Sequence, residues 1–292
     1  MLITDTKPHW LNKKISLSDT QVLSGMLGDL KLNTVCQKAR CPNIGECFKS
    51  GVATFLILGD ICTRSCRFCA VKKGKPSAPD KNEPCRIEDA VKKLNLKHVV
   101  ITSVTRDDIV DGGAGVFAET ISGIKNIDKN IIIEVLVPDF KARLESLRTV
   151  IAARPEIFAH NLESVPRLYK RIRPHADYQK SLLVLESVKE MNSNIYTKSG
   201  LMLGLGEREE EVEDVLRDLR RVKCDFLSVG QYLCPSRKHF PVQEFIEPEK
   251  FDRIKIKAQR LGFLHIESGP YIRSSYRAHQ YKTVKKREVN FG

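Results

Sequence analysis

Six short runs rich in apolar and β-branched residues recur along the chain, at 53–58, 98–104, 131–137, 156–160, 195–205 and 225–229, with amphipathic stretches between them. Strands that alternate with helices run parallel, because each helix carries the chain back to the starting end of the sheet. The clearest helix covers 209–222, where Val212, Val215, Leu216, Leu219 and Val222 repeat at helical spacing, with acids in the first turn and arginines in the last. Its apolar stripe is expected to lie on the sheet. Six strands are two fewer than a closed barrel uses. The fold class expected is therefore α/β, a partial (β/α)6 TIM-type barrel open at its side, with N-terminal and C-terminal extensions packed on it. Residues 1–50 form the first extension, 51–232 the barrel and 233–292 a charge-rich last segment.

Polar or glycine-containing segments follow several of these runs: Gly59-Asp60, 105–108, Pro138-Asp139, 161–163, 204–207 and Gln231-Tyr232. In parallel barrels the site forms at the carboxyl ends of the strands, which is where these residues fall. The chain has 292 residues, 41% hydrophobic and 29% charged, the balance of a soluble globular domain. No apolar run approaches the roughly 20 residues that cross a bilayer. The opening MLITDTKPHWLNKK has neither an apolar signal core nor a transit composition. A cytoplasmic enzyme without membrane contact is expected. Lysine and arginine outnumber acids 49 to 36, for a net charge of +13. The positives are spread along the chain, with only short clusters such as 220–223 and 285–287, and no aromatic-basic stacking motif accompanies them. Nucleic acid is set aside on that pattern, and an acidic protein partner suits the charge.

Nine cysteines, an odd number, point to metal or redox chemistry rather than to a disulfide scaffold. Six of them fall between residues 36 and 69, which core packing would not produce. Cys62, Cys66 and Cys69 follow the first strand directly. Three thiolates at this spacing wrap one small iron-sulfur cluster and leave one iron open to a ligand, whereas structural zinc takes four closed ligands. Arg64 and Arg67 are placed to offset such a cluster's negative charge. Cys36, Cys41 and Cys47 are a weaker signal alone, and pooling all six cysteines into zinc sites gives the alternative of a zinc-stabilised basic binding module. That alternative leaves the polar strand ends without a purpose. Cys85, Cys224 and Cys234 lie scattered, Cys224 as a small buried hydrophobe.

The trio Cys62, Cys66, Cys69 after a first barrel strand resembles the signature of the radical S-adenosylmethionine (SAM) superfamily. Phe68 matches the aromatic before the third cysteine, and Gly200 and Gly204 bound a segment similar to that superfamily's adenine-binding strand. The resemblance implies a [4Fe-4S] cluster that binds SAM and cleaves it to methionine and a 5'-deoxyadenosyl radical. With the first trio included, NTVCQKARCPNIGECF resembles the lipoyl synthase family, as do KPHWL, TSVTRDDIVDGGA, HNLESVPRLYKRIRP, TKSGLMLGLGE, VGQYLCPSRKHFPV and GPYIRSSYRA, together spanning about residues 8–279. Thr105 departs from that pattern, where aspartate is usual, and Cys85 and Cys234 stand where cysteine is not. The resemblance implies that Cys36, Cys41 and Cys47 hold a second, auxiliary [4Fe-4S] cluster that gives up its sulfurs. It implies Ser275 as that cluster's fourth ligand, with Arg273 positioning the serine or neutralising the cluster, and leaves Ser274 without a role. The implied activity is that of a radical SAM sulfurtransferase of lipoate biosynthesis. Two sulfurs are inserted at carbons 6 and 8 of an octanoyl chain on an acidic carrier domain, either an H protein or a 2-oxoacid dehydrogenase E2 subunit. A ferredoxin- or flavodoxin-type electron donor and an iron-sulfur cluster assembly or carrier protein complete the expected partners. Asn161, Glu163, Gly112 and Gly113 are the candidates for binding SAM.

Overall fold

The structure is a computed structural model, and it describes residues 7–12, 25, 28, 30, 32–38, 41, 43, 46, 47, 52–276, 278 and 280. The basic cluster at 285–287, Arg277 of the RSSYRA string and most of the expected N-terminal extension lie outside the described residues. All six runs form strands: β2 (Val52–Ile57), β3 (His98–Ser103), β4 (Ile132–Leu136), β5 (Ile157–Ala159), β6 (Tyr196–Leu203) and β7 (Phe226–Gln231). Two more complete an eight-stranded sheet. The two-residue β1 (Asn33–Thr34) pairs antiparallel with β2, and β8 (His265–Gly269) adds a seventh parallel strand beside β7. The order is β1 through β8 in sequence, a sheet that curls as a barrel wall, with β1 and β8 at its two edges.

Helices cover the outer face: α1 (Glu83–Lys93), α2 (Ala114–Ile127), α3 (Leu144–Ala152), α4 (Tyr178–Met191), α5 (Glu209–Arg221) and α6 (Pro248–Arg260). Alternate residues of each strand face them. Phe55, Ile57, Val99, Ile101, Ile133, Val135 and Phe158 pack with α1, α2 and α3 in one cluster. Leu201, Leu203, Leu227 and Val229 pack with Val212, Val215, Leu216 and Leu219 of α5 in another, so the apolar stripe lies on the sheet as expected. Each such side chain, fully buried, contributes about 1.5–3 kcal/mol.

The other strand face lines the lumen, and it is partly polar. Lys198 donates to both carboxylate oxygens of Glu134, at 2.9 and 3.1 Å, with both side chains fully buried. His98 lies 3.8 Å from the same carboxylate, and Glu267 of β8 acts electrostatically on Lys198. Val100, Ile157, Phe226 and Ala278 close the lumen beside this pair. Ala278 belongs to the C-terminal segment, which therefore runs inside the wall. The strand β8 was not expected because His265 and Glu267 give it no apolar run, their partners being polar groups within the barrel.

Taking a charge out of water is tolerable here only because the pair is complete. Replacing Lys198 by alanine should cost about 3–5 kcal/mol, since Glu134 is then buried without its main partner. The double replacement Glu134→Leu with Lys198→Met should cost less than that single one. Urea unfolding of the three variants checks this, and a Lys198→Ala cost under about 1 kcal/mol would contradict it.

Candidate functional site

The loop that carries Cys62, Cys66 and Cys69 is held from three sides. Thr105, at the end of β3, accepts the Thr63 N–H through its carbonyl at 3.0 Å and donates its own N–H to Cys62 Sγ at 3.3 Å. Arg64 N–H also points to that sulfur, at 3.4 Å. Arg67 N–H donates to Ile172 O, and Phe240 N–H to Arg67 O, both at 2.8 Å. His239 Nε2 lies 3.1 Å from Cys69 O. Backbone N–H groups aimed at a sulfur stabilise its thiolate, the state that binds iron. Burial pushes the Cys66 and Cys69 thiols up, Cys69 to about 11, and the neighbouring thiols add to it. A cation at the trio would displace those protons, as metal binding to thiols does. The substitution of Thr105 for the usual aspartate leaves this loop anchored, because Thr105 works through its backbone.

Arg64 acts as a positive charge on Cys66, but its own hydrogen bonds go to carboxylates. Its guanidinium spans two carboxylates, Asp107 at 2.7 and 2.9 Å and Asp139 at 2.6 and 2.7 Å, after β3 and β4. Arg67 sits over the Phe240 ring, 5.6 Å from its centre. The cation foremost in effect on Cys66 is the buried Arg173. It donates to Asn161 O at 3.0 Å and Leu162 O at 3.1 Å, while its Nε is buried without a partner. A buried donor left unpaired beside the trio fits an anionic group arriving there.

Asn161 and Glu163 stand next to Arg173 at the end of β5. Glu163 has a φ of 69° and exchanges backbone bonds with β6, accepting from Met202 N–H and donating to Gly200 O, each at 2.9 Å. Holding a non-glycine residue in this region costs about 1–3 kcal/mol, the kind of strain found at ligand sites. Burial raises the Glu163 carboxyl, against the charge of Arg173 and a 3.1 Å bond from Asn161 Nδ2. A Cβ at Gly200 would fall 2.8 Å from Asn161 Oδ1, itself buried and without a partner, so glycine there makes room for Asn161. Phe68 packs at the edge of the α5 cluster. Gly204 gives close approach to Gln231 and Glu244. Gly112 and Gly113 have φ of 67° and 91° and open α2, with Phe140 and Leu58 in the space a Cβ would need. A tight turn accounts for both of them.

The first trio gathers with the C-terminal segment. Charge on Cys41 and Cys47 raises the Cys36 thiol, after burial as the main cause, and the Thr54 hydroxyl hydrogen-bonds it. The Thr54 hydroxyl proton goes to Ser275 Oγ, at 2.9 Å. Arg273 is half-buried, with Cys41 the foremost anionic influence on it. Asn43 Nδ2 donates to Tyr271 O at 2.6 Å, and Tyr276 Oη to Glu46 Oε2 at 2.7 Å. Three thiols, a hydroxyl and a guanidinium thus meet at the β1 edge of the lumen. Asp107 and Asp139 lie in the polar strand-end segments that the sequence marks, whereas Thr54 and Arg173 are passed over, ordinary polar residues with partners 221 and 11 positions away.

The Arg64 clamp sets a pH dependence. Burial alone would raise the Asp139 carboxyl, but Arg64 outweighs it and holds it at about 2, below the ordinary 3.8. A depressed carboxyl stabilises the fold above its ordinary value, and that stabilisation, about 2 kcal/mol, is lost as pH falls through about 4 to 2. Asp139→Asn should lower stability at pH 7 and flatten the loss between pH 4 and 2, measured as melting temperature against pH. An unchanged acid limb would rule out the clamp as its source.

A model of the radical SAM superfamily matches residues 56–219 of the chain. Lipoyl synthase of Geotalea daltonii is 55% identical over 277 residues, 95% of this chain and 94% of that protein. Lipoyl synthase of Caldanaerobacter subterraneus is 52% identical over 276 residues, 94% of this chain and 97% of its own. Among solved structures, methylornithine synthase aligns with a TM-score of 0.55 at 13% identity, over 85% of each chain. SAM-bound SuiB of Streptococcus suis aligns with a TM-score of 0.56 at 12% identity, over 86% of this chain and 60% of that one, and both are likenesses of fold alone. The two thiol trios stand on a radical SAM barrel, and the chain that carries them belongs to the lipoyl synthase family of radical SAM enzymes.

Proposed function

We propose that this chain completes lipoyl groups by inserting sulfur at carbons 6 and 8 of an octanoyl group carried on a lysine of a lipoyl carrier domain. The observation that supports this most is the pair of thiol trios, one at the barrel mouth beside Asn161, Glu163 and Arg173, the other beside Ser275 and Arg273. Cys62, Cys66 and Cys69 would hold the [4Fe-4S] cluster that binds SAM. Cys36, Cys41, Cys47 and Ser275 would hold an auxiliary [4Fe-4S] cluster as sulfur source. Bound there, the first cluster and SAM would supply radical chemistry able to take hydrogen from carbons that no acid or base activates. A zinc-stabilised binding module gives no purpose to the strained Glu163 or the unpaired Arg173.

The chain's own residues bind and orient. Glu163 and Asn161 offer acceptors for the ammonium of SAM, and the unpaired Arg173 Nε a donor for its carboxylate. Phe68 and the 200–204 segment would flank the adenine. Gly112 and Gly113 remain in the proposal only as the turn that sets the β3 end. Ser275 must lose its proton to bind iron well, and cluster iron supplies the charge that lowers its pKa. A hydroxyl oxygen is a harder donor than thiolate, and its release would free one iron without breaking a cysteine bond. In this division 1–50 supplies auxiliary ligands, 51–232 the radical SAM barrel and 233–292 the serine, while β8 from the last segment extends the barrel sheet. The chain's +13 charge suits an acidic carrier, whether H protein or E2 subunit. A cytoplasmic setting with a ferredoxin- or flavodoxin-type donor and a cluster assembly or carrier protein fits this chemistry, and among the described residues no helix is long and apolar enough to cross a membrane.

Anaerobic reconstitution, iron and sulfide counts and mass spectrometry with an octanoylated carrier test the proposal. Alanine at Cys62, Cys66 or Cys69 should abolish 5'-deoxyadenosine formation. Alanine at Cys36, Cys41 or Cys47 should spare some of it and remove sulfur insertion, and lipoyl product from these variants would refute the sacrificial cluster. Ser275→Ala should assemble both clusters and lose most insertion. The apparent KM for carrier should rise with salt more steeply than that for a short neutral octanoyl peptide, and equal slopes would remove the electrostatic account.

A further inference from the structure

Consecutive serines of the C-terminal segment face opposite walls of the lumen. Ser275 accepts from Thr54 on β2, at 2.9 Å. Ser274 accepts from Asn161, at the end of β5, at 2.6 Å. The same Asn161 amide nitrogen donates to Glu163 at 3.1 Å, so one amide is shared between the C-terminal segment and the residue whose backbone is strained. Its oxygen is buried with no partner, which leaves the two hydrogen bonds of the nitrogen to fix the amide plane. The segment itself has little freedom at this point. Gly230 abuts the Ile272 carbonyl so closely that a Cβ would overlap it, Arg273 donates to Ile272 O at 2.6 Å, and Ala278 is fully buried against Val100, Ile157 and Phe226.

We infer that Ser274 is a positioning residue that couples the two sites: it sets the Asn161–Glu163 pair for SAM only when the segment bearing Ser275 is seated in the lumen. The inference rests on the proposed assignment of Asn161 and Glu163 to SAM. Its consequence is order. A chain whose C-terminal segment is not seated would hold SAM more weakly and so make fewer unproductive radicals. Coupling of this kind is reciprocal, so SAM must in turn hold the segment in place.

Hydrogen exchange and SAM binding on the reconstituted full-length chain test it. SAM should slow amide exchange in both 157–164 and 269–276 of the unaltered chain. Ser274→Ala should weaken SAM binding about five- to tenfold, the worth of one hydrogen bond to a buried amide. It should also speed exchange in 157–164 before SAM is added, and it should break the protection of 269–276 by SAM, with iron content unchanged. Ser274→Thr, which keeps the acceptor, should restore all three, and Ser274→Val, of the same bulk, should not. That isosteric pair decides the matter if the alanine variant folds poorly. Protection of 157–164 by SAM with 269–276 unaffected would overturn the coupling, as would unaltered exchange in 157–164 for both Ala and Val variants. Absence of SAM protection at 157–164 in the unaltered chain would instead count against the assignment of SAM to Asn161 and Glu163, and the SAM-free comparison of Thr with Val would still judge Ser274.

Discussion

An open barrel must fill its own lumen. Seven parallel strands curl here without the eighth that closes and packs a complete barrel, so the inner strand face needs another source of contacts. The C-terminal segment supplies them, and the rest of the site depends on that insertion. It brings Ser275 to Thr54, Arg273 to Cys41 and Ser274 to Asn161, and it buries Ala278 beneath them. Asn43 and Glu46 tie the N-terminal cysteines to the same segment. Two stretches more than 220 residues apart in sequence thus build one site.

Charge is handled differently at the two ends of the lumen. At the base, Lys198 and Glu134 neutralise each other in full burial, a purely internal arrangement. At the mouth, Arg64 is saturated by Asp107 and Asp139, whereas Arg173 keeps a buried nitrogen unpaired next to Cys66. The first two are complete and serve the fold; the third leaves a buried donor that the proposed anionic ligand would fit. Desolvation makes such a group costly, about 1–3 kcal/mol, and a protein retains it where an incoming anion relieves the cost.

Much of this was legible in the sequence. The six strands and the α5 stripe announced themselves through apolar periodicity, and the trio Cys62, Cys66 and Cys69 through spacing, while Cys36, Cys41 and Cys47 gained their role by resemblance. Ser275 and Arg273 were accessible only by resemblance, since serine and arginine near the end of a chain carry no chemical signal of their own. The strand β8 escaped because His265 and Glu267 turn inward to polar partners, which erases the alternation that marks a half-buried strand. Arg64 was legible only in part: adjacency to cysteines marks it as a positive charge near Cys66, while its hydrogen-bond partners lie 43 and 75 positions away. Ser274 was passed over beside its neighbour, although the two differ only in which wall they face.

The central claim is that the first trio and Ser275 hold a cluster whose sulfur enters the product. Reconstituting the chain with heavy-isotope sulfide, removing free sulfide and running a single turnover with octanoylated carrier tests it directly by product mass. Lipoyl product carrying two heavy sulfurs is the result expected. Lipoyl product carrying only light sulfur would contradict the account, because the sulfur would then have come from outside the chain's own clusters.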